Sequence, residues 1–190
     1  MADGYWFYAI ILGAAFSTCA RDLAEIVREN VRDKDHKIFW PFILWYMFSL
    51  LLIIEVFVAV TTAYRANPTS RSVLDFFAFL AVPVGIFVAS TMIKPVSWRE
   101  REWLSDAEAF ARGRKAFFTI IFLIPLVNIV HEFVLGEAGF DADLLFQVLL
   151  MVGAGLGFFL HSLRGDIVVA VGMILVIATY IGTQYSTIVF

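Results

Sequence analysis

Glu55 stands between Ile54 and Val56 in a stretch, 38–64, that is otherwise largely apolar. A charged side chain at the middle of a membrane-spanning helix costs roughly 2.5–3.5 kcal/mol on insertion scales, so such a residue needs a reason to be there. It can hold a proton, find a polar partner or meet water. Two roles fit equally: a proton or cation site, or a neutral, hydrogen-bonded glutamic acid that locks helices together. A second group lies at Asn128, His131 and Glu132, whose i, i+3, i+4 spacing places them on one helical face. A carboxylate beside an imidazole could bind a cation or relay protons. The plainer reading is that these residues sit near the end of their apolar run and face headgroups or water. Gln147, Thr183 and Gln184 map to the same depth.

No enzyme signature accompanies these residues. His131-Glu132 is followed by Phe133-Val134-Leu135, so no H-E-x-x-H motif forms, and neither a G-x-S-x-G elbow nor a P-loop occurs. His131 and His161 fall at opposite leaflets, His131 outer and His161 inner, where they could not ligate one haem from two sides. Cys19 is the single cysteine, which excludes an intramolecular disulfide and a cysteine-based metal cluster. No cofactor, metal or catalytic set is expected.

The elements that carry these residues are set by hydropathy. Of the 190 residues 61% are hydrophobic and the mean hydropathy is +0.85, well above the ~45–50% apolar content of soluble domains. Spanning helices need about 20 apolar residues each, and six fit: 5–27, 38–64, 73–93, 116–135, 143–162 and 166–189. The expected fold is all-α, a single six-span transmembrane domain. The first apolar run follows Asp3 with no Lys or Arg before it, unlike a secretory leader, and is expected to remain as a helix. Of the 14 Lys and Arg residues, only Arg65 and Arg71 lie outside the inner end of the first span and the stretches that follow the first, third and fifth. The positive-inside rule then places both termini outside. Compact loops suggest a bacterial inner (plasma) membrane. Tyr5, Trp6, Tyr8, Tyr64 and Tyr185 are expected as headgroup-level anchors at the outer ends, and Trp40, Trp45, Trp98 and Trp103 at the inner ends.

Several positions have structural roles. Pro83 and Pro125 fall mid-span in the third and fourth helices and are expected to kink them, freeing a backbone carbonyl in each. Two kinks at one depth could open a polar cavity; ordinary packed kinks are the alternative. Gly153 and Gly157 are spaced for close helix approach, within the chain or between copies. Lys94-Pro95 stops the third helix and Asn67-Pro68 marks a turn. Ser72 with Asp75, and Asp141 or Asp143, are helix-start caps, and Arg164-Gly165-Asp166 is an inner turn. Ser105 with Glu108 forms a capping box that opens a helix, which either bends or runs directly into the fourth span.

The connectors 21–37 and 94–115 interleave both charge signs with apolar residues at helical spacing. They suit a docking surface for a protein partner or anionic lipid, or a snorkelling amphipathic hinge on the membrane face. A nucleic-acid partner is not expected, since a binding stripe would be more uniformly basic. The sequence therefore favours a membrane-embedded scaffold or sensor acting through these connectors. The alternative is a small oligomeric channel or transporter for protons or cations that uses Glu55, Asn128, His131 and Glu132. Membrane lipid is the expected surrounding, with a homo-oligomer compatible with either role.

Overall fold

The computed structural model describes residues 2–32, 39–66, 73–93, 105–135 and 139–185; within these, the side chains at 2–5, 29–30, 32, 63–66, 73–76, 78–79 and 135 are outside the description. It is all-helical over those residues: α1 Ala2–Arg32, α2 Trp40–Ala66, α3 Val73–Met92, α4 Asp106–Leu135, α5 Ala142–Phe159 and α6 Leu163–Gln184. Asn67-Pro68, Lys94-Pro95, Trp98, Trp103, the Ser72–Asp75 cap and most of both connectors lie outside the described residues, as do the side chains of Tyr5 and Tyr64.

The helix starts are chemical. Ser105 N–H donates to Glu108 Oε2 at 2.9 Å and Glu108 N–H donates back to Ser105 Oγ at 3.4 Å, the reciprocal capping box. From there α4 continues without a break to Leu135, so the connector runs directly into the apolar stretch. Asp141 is the cap of α5, accepting from Leu144 N–H at 2.9 Å. Ser162 Oγ accepts from Gly165 N–H at 3.0 Å and starts α6 at Leu163. The turn between α5 and α6 thus falls at 160–162, and Arg164-Gly165-Asp166 belongs to the first turn of a helix. Gly165 suits that place because a Cβ there would lie 2.8 Å from the capping hydroxyl.

Four segments are long and apolar enough to cross a membrane: Trp40–Thr62, Asp106–Val134, Ala142–Phe159 and Leu163–Gln184. The described apolar part of α3, Leu80–Met92, is shorter, and α1 carries Arg21, Asp22 and Glu25 along its apolar stretch.

Contacts fix the helix directions. Asp22 near the end of α1 meets Tyr46 near the start of α2, so the two are antiparallel. Arg114 near the start of α4 reaches Gly157 near the end of α5, and Tyr180 near the end of α6 reaches Asp143 at the start of α5. Packing closes a ring in the order α1, α3, α4, α5, α6, α2, with α2 also touching α3. α2 is the most enclosed spanning candidate, with half of its apolar stretch buried. One end of the bundle therefore carries Arg114 and Asp166, and the other Glu132 and Asp143.

Aromatic residues form the centre. Trp45 packs edge-on against Phe48, Phe117 and Phe118, with ring centroids 4.9–5.5 Å apart, and all four side chains are inaccessible. Trp45 is consequently no headgroup anchor: the spacing that puts it near a helix end also puts it on the face of α2 that meets α4. Tyr8 is buried as well, whereas Trp6 and Trp40 are exposed. Pro83 and Pro125 are both buried inside continuous helices. At their depth α3 and α4 approach closely, a Cβ on Gly85 falling 2.9 Å from Ile124.

Glycines in the last two helices divide by what surrounds them. A Cβ on Gly153 would lie 2.7 Å from Met173 of α6, and one on Gly157 would enter the Phe118 ring of α4. Gly13, Gly155 and Gly172 meet nothing within 4 Å. Gly157→Ala is expected to destabilise the bundle by about 1–3 kcal/mol through overpacking, while Gly172→Ala stabilises it by up to about 1 kcal/mol through helix propensity. Reversible unfolding in mixed micelles measures both, and equal effects would remove the packing role of Gly157.

Candidate functional site

Polar groups collect in two layers, one at each end of the bundle. At the Asp143 end, Glu132 of α4 accepts from Asn128 Nδ2 at 2.7 Å on its own helix and from Gln147 Nε2 at 3.2 Å on α5. The i, i+4 pair thus becomes an interhelical link, with Gln147 buried and its Oε1 lacking a hydrogen bond. His131 is half-buried beside it. Tyr180 of α6 donates its hydroxyl to Asp143 and stacks on Phe146 of α5, ring centroids 4.1 Å apart and nearly parallel.

Glu55 projects from α2 into the same region and is 6% exposed. It has no hydrogen-bond or ion-pair partner among the described residues. Its electrostatic neighbours are Asp143, Tyr8 and Tyr185. Asp143 in turn lies within reach of Asp141 and Glu132, so acidic groups from α2, α4 and α5 share one end of the fold. The site residues read from the sequence are therefore joined unequally: Asn128 and Glu132 bond directly, while Glu55 is linked to them through the field of Asp143. Among the described residues no group of three or more His, Cys, Asp or Glu side chains is arranged to hold a metal ion.

The second layer is an ion pair. Arg114 Nη1 lies 2.7 Å from Asp166 Oδ2, and both side chains are about 5% exposed. Arg114 Nε and Nη2 also donate to the Gly157 carbonyl at 3.0 and 2.6 Å. That carbonyl belongs to the last turn of α5, where carbonyls lose their intrahelical donors. A cation at a helix C-terminus and an anion in a first turn are each favoured by the helix dipole, so the pair serves the end of α5 and the start of α6 together. The guanidinium lies over the Phe110 and Phe118 rings, 5.8 and 5.5 Å from their centroids, which lends cation–π attraction. At the same end, Tyr46 donates to Asp22 at 3.1 Å, tying α1 to α2.

Sequence reasoning placed Arg114 in a surface connector. The missed signal is periodicity: Phe110, Arg114, Phe118 and Ile121 follow at 4, 4 and 3 residues, so this arginine occupies the apolar stripe of α4 rather than its charged face. A basic residue on a buried stripe calls for a carboxylate elsewhere, and Asp166 provides it.

An all-helical bundle with four such apolar helices has the make-up of an integral membrane protein. Compared with protein families, curated proteins and solved structures, the chain matches none.

Removing one partner of a buried pair strands the other charge, a loss of about 3–5 kcal/mol. Arg114→Met and Asp166→Leu should each destabilise the bundle by that order, and the double variant by clearly less than the two together. A double-mutant cycle on unfolding in micelles checks this; additive losses would show that the two groups do not act as a pair.

Proposed function

We propose that the protein is a membrane-embedded scaffold or sensor whose working surface is the Arg114 end, facing the cytoplasm of a bacterial inner membrane. In this reading all six helices span, both termini lie outside, and the connectors 21–37 and 94–115 meet a protein partner. The distribution of Lys and Arg supports the orientation.

The observation that carries this reading is the separation of the two polar layers. Between them lie Phe48, Leu52, Phe117, Ile121, Leu150, Ala154 and Met173, all buried. That slab includes the Ser49 hydroxyl and Trp45 Nε1, each without a hydrogen bond, but no charged side chain among the described residues. An ion crossing a single chain would have to shed water through several turns of aromatic and aliphatic packing. A scaffold needs no such path. α4, by contrast, is one rod from Asp106 to Leu135, and its connector end is fastened through Arg114 to α5 and α6. A force applied at the connector is thereby delivered to three helices.

The test is direct. A photo-crosslinker at Ala111, exposed on the connector end of α4, should capture one defined partner in the native membrane, whereas a crosslinker at Val134 should capture only lipid. Charge reversal of Arg99, Arg101 and Arg112 to Glu should abolish the capture while leaving the unfolding midpoint unchanged. Capture that survives the reversals would sink the reading.

Glu55 supports a second reading. A buried carboxyl group facing other acidic groups, with no cation beside it among the described residues, suits proton or cation uptake in an oligomeric channel or transporter. In liposomes carrying a pH gradient, Glu55→Gln should then reduce proton flux roughly tenfold or more relative to the parent protein. Flux that is absent from the parent, or unaltered by the substitution, removes Glu55 from any conduction mechanism.

A further inference from the structure

The geometry points to a seat for one anionic phospholipid between α4 and α5, with an acyl chain lying over Gly155 and the phosphate meeting Lys115. Gly153 and Gly157 are each required by a neighbour, but the glycine between them is not: a Cβ on Gly155 meets nothing within 4 Å. Glycine weakens a helix interior, and packing within the chain gives no reason for it here. What its missing side chain leaves is a groove of about 210 Å³, walled by Thr119, Phe122 and Leu123 on α4 and by Ala154, Phe158 and Phe159 on α5. The groove opens sideways, toward the face that an apolar α4 and α5 present to the bilayer, and its lining is almost wholly apolar.

Its polar end is equally specific. Thr119 contributes a hydroxyl that, like that of Thr179, makes no hydrogen bond among the described residues, whereas Thr18, Thr61, Thr62, Thr91 and Thr183 return theirs to backbone carbonyls. It is placed to donate to a glycerol ester. Lys115 is one turn before Thr119 on the same helix face, exposed, and without an ion-pair partner among the described residues. Arg164, at the start of α6, is likewise exposed and unpaired among those residues. Among the described residues, Asp166 is buried and committed to Arg114, and Glu108, two turns before Lys115, is held by Ser105. Net positive charge at the mouth of an apolar groove selects an anionic headgroup over a zwitterionic one. The depth also agrees, since the apolar run of α4 begins at Ala116, immediately past Lys115.

Native mass spectrometry of the protein released from vesicles of equal phosphatidylglycerol and phosphatidylcholine tests the seat. The parent protein should retain one phosphatidylglycerol in preference to phosphatidylcholine. Gly155→Leu, whose Cβ meets no obstacle, should reduce that retention roughly tenfold. Lys115→Gln should keep a lipid but lose the preference for the anionic one. Gly172→Leu, equally unobstructed on α6, should retain the lipid as the parent does. Undiminished phosphatidylglycerol on Gly155→Leu would overturn the proposal, and so would a dimer that this substitution dissolves without changing the bound lipid, because the groove would then belong to a second copy.

Discussion

The seating of the Arg114 guanidinium joins three helices of this bundle at one point. A single planar cation satisfies a carbonyl that the end of α5 leaves without a donor, neutralises a carboxylate in the first turn of α6, and lies over two phenylalanine rings of its own helix. Each of those partners is buried, and the carbonyl and the carboxylate would each be costly alone. The close approach of α4 to α5 follows from the same arrangement. Gly157 must lack a side chain for Phe118 to lie against the α5 backbone, and only then does its carbonyl come within reach of Arg114. The position of Phe118 in turn supports Trp45 and, through it, the most enclosed helix, α2. Electrostatics at one end and aromatic packing at the centre are therefore one construction.

The opposite end is held differently. There Glu132 and Gln147 join α4 to α5, and Asp143 and Tyr180 join α5 to α6, through hydrogen bonds that involve one carboxyl group each. No Lys or Arg among the described residues balances the carboxylates of that layer. Glu55 is the extreme case, a carboxyl group enclosed by protein with only like-signed or neutral polar groups as electrostatic neighbours. The two ends thus differ in kind: one is a closed, charge-balanced joint, and the other, among the described residues, a set of carboxyl groups of which Glu132 and Asp143 are held by neutral donors.

Much of this was legible in the residues. Apolar runs located the helices, and the capping chemistry of Ser105 with Glu108 marked one start to the residue, while that of α5 was narrowed to Asp141 or Asp143, of which Asp141 is the cap. The Asn128–Glu132 face and the depth of Gln147 also followed from spacing alone. What escaped were relations between helices. Arg114 looked like a connector charge because it adjoins Lys115 and Arg112; its burial depends on which face of α4 meets α5, and a linear pattern shows the stripe without naming its partner. Trp45 was misplaced for the same reason, since distance from a helix end says nothing about the side to which a ring points. The α5–α6 turn was set three residues late, because Gly165 resembles a turn glycine until the Ser162 hydroxyl is seen occupying its space.

The Arg114 joint also bears on how the protein is made. Synthesis delivers α4 to the bilayer well before Gly157 and Asp166 leave the ribosome. Until the last hairpin arrives, α4 carries a bare guanidinium that can only snorkel toward the headgroups, keeping that end of the helix near the surface. Docking of α5 and α6 removes the charge from water. An intermediate that never receives its hairpin keeps an exposed cation and an uncovered aromatic face, both of which membrane proteases and chaperones can recognise. The same contact that stabilises the finished bundle thereby distinguishes a finished molecule from an unfinished one.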